Sequence, residues 1–345
     1  MTEKDFWRNS KAAVIGGGSW GTALANLIAP NCRETRLWVR AEEQARQINA
    51  TRVTKYLPEM QLHERITAVC ERDRALDWQD DPAHEGVKAI IWALPSKVCR
   101  EQARLFARYF RGDEVILHAS KGVEHGTMKR VSEILREELP CPRIGVISGP
   151  NLAGEISRGE PAATVVASAF TEVVEAGQAL FGGDKFRIYG GSDVIGVEWA
   201  GTLKNVLAIA SGALDGMKLG WNARAMLITR GLAEMVRFGI AMGAKESTFL
   251  GLAGVGDLLA TCSSPLSRNY RVGFRLAQGE KLQAALAAIG STAEGVETTR
   301  NVWEFARSRG IYMPITEGVH ELLFEGVDVA EVLKRLMTRP QMPEF

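Results

Sequence analysis

Residues 11–40 constrain the fold of this chain more than any other stretch. A short apolar run, Ala12 to Ile15, turns through Gly16-x-Gly18-x-x-Gly21 and continues as a small-residue helix, Thr22 to Ala29. A second strand follows, Thr35 to Val39. This is a β-α-β unit with a glycine fingerprint at its first turn. Gly16 permits the tight turn, Gly18 lets a pyrophosphate approach the backbone, and Gly21 lets the helix sit close on the strand. The helix start then offers unpaired N–H groups to an anion. A glycine-rich turn packed for its own sake would explain the glycines but not the flanking strands. The stretch therefore predicts dinucleotide binding.

The end of the second strand bears on which dinucleotide. An NAD-specific site usually has Asp or Glu there to hold the ribose 2′-OH. This chain has Arg40. A guanidinium suits a 2′-phosphate, so the expected cofactor is NADP(H), with NAD(H) left open and a solvated surface arginine as the plain alternative.

The chain has 345 residues, long for one core, and two domains are expected. Its hydrophobic share of 46% is ordinary, and its net charge of +1 gives no reason to expect nucleic acid or a membrane surface as partner. The five cysteines, Cys32, Cys70, Cys99, Cys141 and Cys262, are scattered and form no Cys-x-x-Cys pair. Neither a disulfide framework nor a zinc site is expected, which fits a reducing cytoplasm. The uncharged run Ala12 to Cys32 after Lys4, Arg8 and Lys11 looks like a signal peptide at first, but Gly16 to Gly18 interrupts it. No segment approaches the ~20 apolar residues of a membrane helix.

Residues 1–10 read as a loose polar leader. Ala41 to Ala50 reads as a helix, Ile66 to Cys70 as a strand, and the charged stretch Glu71 to Glu85, with Asp77, Asp80 and Asp81, as a solvated helix and turn. Strands are expected at Lys88–Leu94, Glu114–Ala119 and Arg143–Ser148, with a helix at Val98–Arg108. Alternation of this kind predicts a mainly parallel sheet covered on both faces, with ligands beyond the carboxyl ends of its strands. The loops Pro95-Ser96, Ser120-Lys121 and Gly149–Asn151 fall there. The pattern changes near residue 193: Asp193 to Gly216 reads as one long helix, rich in Ala and Gly because it packs closely. Helices follow at 223–239, 247–260, 268–277, 282–288, 298–308, 315–324 and 329–337. The reading is an α/β fold: a Rossmann-like dinucleotide-binding domain over residues 1–197 and an all-α domain over 198–345 that completes a cleft.

Four places can carry chemistry. Lys204 shares a helix face with Ala200, Gly201, Leu207 and Ala208, so it either snorkels to water or is partly buried. A partly buried lysine can move a proton at an alcohol or carbonyl carbon. Asn205 beside it can orient a hydroxyl. Gly254-Val-Gly-Asp257 brings a carboxylate close to a ligand or a lysine, or is a turn capped by Asp257; Thr261 is one helical turn on. Ser267-Arg268-Asn269 opens a helix, where Arg268 and Asn269 can grip a phosphate and Ser267 can simply cap. Lys121 ends a central strand near the cofactor. The histidines form no metal-ligand spacing and no metal is expected; His118 reads as a satisfied core residue, and His125 follows a glycine loop.

With these residues in hand, the chain resembles the NAD(P)-dependent glycerol-3-phosphate dehydrogenases from about residue 11 to 335, the bacterial biosynthetic branch in particular. The landmarks are Ile15-Gly-Gly-Gly-Ser-Trp-Gly-Thr-Ala, Tyr56-Leu-Pro, Ser120-Lys-Gly-Val-Glu, Ile147-Ser-Gly-Pro, Lys204-Asn-Val, Asn222-Ala-Arg, Gly254-Val-Gly-Asp-Leu, Ser267-Arg-Asn and Met313-Pro-Ile-Thr-Glu. The resemblance implies that Lys204 is the general acid/base. It implies that Lys121, Gly149, Asp257, Ser267, Arg268 and Asn269 hold glycerol phosphate, with Thr261 where related enzymes use a threonine. Ser19, Trp20, Arg40, Lys121, Ala153, Arg268 and Glu294 fall where the family contacts the nucleotide, beside Gly16, Gly18 and Gly21. Three positions depart from the pattern: Asn151 in place of Ser or Thr, Thr292 in place of an aliphatic residue, and His118 in place of a small one.

The expected reaction is reduction of dihydroxyacetone phosphate to sn-glycerol 3-phosphate with NAD(P)H, supplying the phospholipid backbone. The resemblance also suggests a homodimer. A related 3-hydroxyacid or 6-phosphogluconate-type dehydrogenase would need a carboxylate site instead. A redox sensor that binds NADPH without turnover would have no use for Lys204, Asp257 and Arg268 together.

Overall fold

A computed structural model describes residues 3–76, 87–290 and 293–340. The aspartates 77, 80 and 81 and Thr292 lie outside the described residues. The chain divides into two compact units, Met1–Glu124 with Lys129–Glu198, and His125–Met128 with Trp199–Phe345.

The first unit is built on one eight-stranded sheet. Its strands are β1 (Lys11–Ile15), β2 (Glu34–Trp38), β3 (Ile66–Val69), β4 (Val87–Trp92), β5 (Val115–His118), β6 (Ile144–Ser148), β7 (Ala162–Ser168) and β8 (Phe186–Gly191). They lie in the order β3-β2-β1-β4-β5-β6-β7-β8. The first six run parallel, β7 joins β6 antiparallel, and β8 runs parallel to β7. The helices are α1 (Glu3–Asn9), α2 (Ser19–Ile28), α3 (Glu42–Thr51), α4 (Arg72–Leu76), α5 (Ser96–Phe106), α6 (Val131–Glu138), α7 (Ala153–Ser157) and α8 (Thr171–Phe181).

Every residue of β1 is buried, and successive side chains feed opposite faces. Ala12 and Val14 pack into a cluster with Leu24 and Ile28 of α2 and Leu180 of α8. Ala13 and Ile15 pack into another with Phe106 of α5 and Leu135 of α6. The apolar run at the start of the fingerprint is thus a central strand, and its carboxyl end delivers the glycine turn to the sheet edge.

Two expectations for this unit are corrected. The described part of the expected loose leader, residues 3–10, is ordered: α1 forms, its Trp7 is buried in the α2–α8 cluster, and Ser10 Oγ donates to the Phe6 carbonyl at 2.7 Å. One large aromatic gives this charged segment enough apolar area to dock. The reading also named no element between Asn151 and Asp193, where β7, α8 and β8 complete the sheet. The run Ala162–Ser168 does carry a strand signature, the three consecutive β-branched residues Thr164-Val165-Val166, which the reading passed over.

The second unit is helical: α9 (Val194–Gly216, which starts in the first unit), α10 (Trp221–Ala241), α11 (Glu246–Phe249), α12 (Asp257–Ser263), α13 (Arg268–Ala277), α14 (Leu282–Ile289), α15 (Glu294–Arg309), α16 (Pro314–His320) and α17 (Val329–Met337). The small residues of α9 have the expected cause. A Cβ on Gly212 would stand 1.9 Å from the Tyr270 carbonyl oxygen, and one on Gly273 would stand 1.8 Å from that of Ile209. Helices α9 and α13 therefore meet backbone to backbone. The landmark after Met313 is also structural: the buried Glu234 carboxylate accepts from the backbone N–H groups of Ile315 and Thr316 at 2.5 and 3.1 Å, at the start of α16. Burial, partly offset by those donors, pushes its pKa up to about 7.

Residues 247–260 do not form the single helix expected. Helix α11 ends at Phe249, a π-helical turn covers Leu252–Gly256, and α12 starts at Asp257. Gly254 allows this: a Cβ there would lie 2.0 Å from the Phe249 carbonyl oxygen, so the chain folds back on itself only without a side chain. Residues 315–324 likewise give α16 followed by a π-helical turn, Glu321–Glu325, and the helix expected from Thr298 begins earlier, at Glu294.

Candidate active site

The glycine fingerprint lies in the first unit. Gly16 has a φ of 125°, a region that side chains avoid. A Cβ on Gly21 would stand 1.8 Å from the Gly16 carbonyl oxygen, so α2 can reach the strand only through glycine. Gly18 is different. A Cβ there meets nothing within 4 Å, which leaves room for a ligand directly over the backbone at the start of α2. No side chain caps this helix, and Ser19 and Trp20 form its half-buried first turn. Gln44 steadies the turn from α3, its Nε2 donating to the Gly17 carbonyl at 2.7 Å. These glycines fit a dinucleotide pyrophosphate.

Arg40 lies just past β2, exposed and with no hydrogen bond or ion pair among the described residues. The loops after β4, β5 and β6 share one sheet edge. The Ser120 hydroxyl donates to the Leu94 carbonyl at 2.5 Å, and the Ala119 N–H donates to the Trp92 carbonyl at 2.8 Å. Lys121 is half-buried on this edge and Ala153 half-buried at the start of α7. Gly149 is buried, and a Cβ there would crowd Thr164 at 3.0 Å. Asn151, one of the departures, donates through Nδ2 to Thr164 Oγ1 at 2.8 Å, while its buried Oδ1 has no partner among the described residues.

The second unit holds the Lys204 cluster. Lys204, on α9, is only 5% exposed and therefore does not snorkel to water. Its Nζ donates to Asp257 Oδ1 and, at 2.7 Å, to Thr261 Oγ1. Asp257 opens α12 and Thr261 lies one turn later, so both face the same ammonium. Asp257 is therefore not a simple turn cap. Asn205 is also 5% exposed, yet its amide makes no hydrogen bond among the described residues. Its amide is thus available to a ligand. Beneath the pair, burial pushes the Cys262 thiol up to about 12, so this cysteine stays protonated and inert.

Helix α13 opens with the third motif. Ser267 caps it, accepting from the Tyr270 N–H at 3.3 Å. Arg268 projects exposed from the first helical position, without a partner among the described residues. Asn269 is buried and accepts from the Gly295 N–H at 3.0 Å. Glu294, half-buried, is the first residue of α15.

The sequence reading missed a buried ionic cluster. Glu198 accepts from Arg130 Nη1 at 2.5 Å, from the Ser132 N–H at 2.9 Å and from the Ser132 hydroxyl at 2.6 Å. His118 is fully buried as expected, but it is not a satisfied apolar-core residue. Its Nε2 lies 3.1 Å from Glu198 Oε1, close enough for electrostatic pairing, yet outside hydrogen-bond alignment. Burial would raise the Glu198 carboxyl, but His118, Arg130 and Ser132 outweigh it and hold the pKa down at about 2. Glu198 on an otherwise apolar helix face was the signal available. His125 Nδ1 lies 2.7 Å from Asn301 Oδ1. No group of acidic, cysteine and histidine side chains that could hold a metal occurs among the described residues. No single helix there is long and apolar enough to cross a membrane.

Comparison with known proteins agrees with this geometry. Residues 11–174 match the family model of the NAD-dependent glycerol-3-phosphate dehydrogenase N-terminus, and residues 193–334 match that of the C-terminus. The glycerol-3-phosphate dehydrogenase [NAD(P)+] of Pseudomonas paraeruginosa is 46% identical over 94% of this chain and 93% of its own length. That of Nitratidesulfovibrio vulgaris is 43% identical over 95% and 98%. The crystal structure of glycerol-3-phosphate dehydrogenase from Coxiella burnetii superposes with a TM-score of 0.89 at 37% identity, covering 96% of this chain and 99% of that one. The fingerprint, the lysine with its two partners and the full-length matches lead to one conclusion: this chain belongs to the NAD-dependent glycerol-3-phosphate dehydrogenase family.

Proposed function

We propose that this chain is an NAD(P)-dependent oxidoreductase that reduces dihydroxyacetone phosphate to sn-glycerol 3-phosphate, reversibly. The observation that carries the reading is the buried Lys204 ammonium, held by Asp257 and Thr261. The chemistry supplied by a bound NAD(P)H is a hydride for C2 of the ketone. Lys204 donates a proton to the C2 oxygen as it becomes an alkoxide, and in the reverse direction takes it back. Asp257 and Thr261 fix Nζ, so the donor waits in position rather than searching for it. Asn205 orients the same oxygen. Arg268 and Asn269, at the Ser267-capped start of α13, grip the phosphate, with Lys121 and Gly149 completing the glycerol phosphate contacts and Asn151 beside them. Binding energy from the non-reacting phosphate is spent on holding C2 in place.

The cofactor contacts in this reading are Gly16, Gly18, Ser19, Trp20, Gly21, Arg40, Lys121, Ala153, Arg268 and Glu294. Arg40, without a partner among the described residues, favours NADP(H), its guanidinium meeting the 2′-phosphate. The working division is a nucleotide domain over 1–197 and a substrate domain over 198–345. We further infer a cytoplasmic homodimer that needs no metal and supplies glycerophospholipid synthesis.

The test is oxidation of NADPH and, separately, of NADH by purified protein with dihydroxyacetone phosphate. Rapid oxidation of either supports the reading. No oxidation, with nucleotide still bound, overturns it.

A further inference from the structure

Gly295 is the second residue of α15, and its N–H donates to Asn269 Oδ1 at 3.0 Å. A Cβ on Gly295 would stand 2.7 Å from the Asn205 carbonyl oxygen and 2.8 Å from Asn269 Oδ1. The first contact is with the backbone of α9 and cannot be relieved by a rotamer change. Any side chain at 295 therefore pushes the start of α15 away and breaks the bond to Asn269. Thr299 holds the same peptide from the other side, its Oγ1 donating to the Gly295 carbonyl at 2.6 Å.

The side-chain amide of Asn269 has two unlike ends, an acceptor and a donor. With Oδ1 committed to an N–H, Nδ2 is the end left over, and it has no partner among the described residues although Asn269 is only 7% exposed. An amide turned the other way would direct oxygen lone pairs at an anion. We propose that Gly295 is a positioning residue for phosphate recognition: it locks the Asn269 amide so that Nδ2 meets the substrate phosphate. This rests on the reading of Arg268 and Asn269 as the phosphate grip.

The experiment compares Gly295→Ala, Asn269→Ala and the double variant with wild type. The substrates are dihydroxyacetone phosphate and phosphate-free dihydroxyacetone, both at saturating NADPH. One charge-assisted hydrogen bond corresponds to about a tenfold change. Gly295→Ala is expected to raise KM for the phosphorylated ketone about tenfold, with kcat changed less than about threefold. Its kcat/KM for dihydroxyacetone is expected to change less than about twofold, and the double variant to be no worse than Asn269→Ala. Equal losses on both substrates, or additive losses in the double variant, overturn the proposal. Asn269→Ala impaired with Gly295→Ala normal overturns it while sparing the phosphate reading. An unimpaired Asn269→Ala removes both. If Gly295→Ala does not fold, Asn269→Asp decides. It keeps the acceptor for Gly295 but replaces the donor by oxygen, so KM for the phosphorylated ketone alone should rise at least about tenfold; an unchanged KM overturns the proposal.

Discussion

Thr261 lies four residues after Asp257 on α12, and the side chains of both bond the one ammonium of Lys204. A buried lysine is retained as a charge only with such partners, and removing one side of a buried pair costs about 3–5 kcal/mol. Lys204→Ala and Asp257→Ala should each lower stability by about that much, whereas the double variant should lose clearly less than the sum. Denaturant titration of the four proteins measures this; additive losses would show that the pair is not coupled. Lys204→Ala should also lower kcat by about three orders of magnitude or more while NADPH affinity stays within about twofold.

Gly18 and Gly21 should respond differently to the same substitution. A methyl group at Gly18 meets open space, so Gly18→Ala should leave the midpoint of thermal unfolding within about 2 °C. It should nonetheless weaken dinucleotide binding about tenfold or more, because the methyl would occupy the approach of the pyrophosphate. Gly21→Ala would press on the Gly16 carbonyl and should cost about 2 kcal/mol or more of stability before any ligand is added. Calorimetry of the free proteins, paired with NADPH titrations, separates the two.

Arg40 has no competing partner among the described residues, so its removal should act on the cofactor alone. Arg40→Ala is expected to reduce kcat/KM for NADPH about 10- to 100-fold and to leave that for NADH within about threefold. Initial rates with the two cofactors give the ratio directly; equal losses would assign Arg40 to something other than the 2′-phosphate.

Glu198 contributes to stability in a defined pH window. Its folded pKa of about 2 lies below the ordinary carboxylate value of 4.5, so its stabilisation is present above about pH 4.5 and is lost as pH falls toward 2. Glu198→Gln should lower the unfolding midpoint at neutral pH by about 5–10 °C. The gap between variant and wild type should narrow steadily below pH 4.5. Melting curves from pH 7 downward test this, and a constant gap would mean that the cluster contributes packing rather than charge.

The most legible parts of the chain were those where one residue type has one physical use. The glycine fingerprint revealed the first β-α-β unit because Gly16 and Gly21 serve a turn and a close approach that no other residue permits. The Ala/Gly content of α9 likewise predicted close packing, which Gly212 shows against Tyr270. Less legible were features that depend on distant partners. Glu198 reads as one charge on a helix until Arg130 and Ser132 are brought beside it. The strand Ala162–Ser168 has a β-branched centre, Thr164–Val166, but its place in the sheet, antiparallel to β6 and parallel to β8, is set by distant partners. Asp257 and Lys204 stand 53 residues apart, and only the tertiary fold joins them.

At Gly212 and Gly273, α9, which carries Lys204, and α13, which opens with Arg268 and Asn269, touch main chain to main chain with no side chain between them. In the proposed reaction the proton donor and the phosphate grip therefore stand on two helices whose separation is set by main chain, like the jaws of a caliper. Such a pair would gauge the length of its substrate, and a ketose phosphate one carbon longer is expected to satisfy one jaw or the other, but not both.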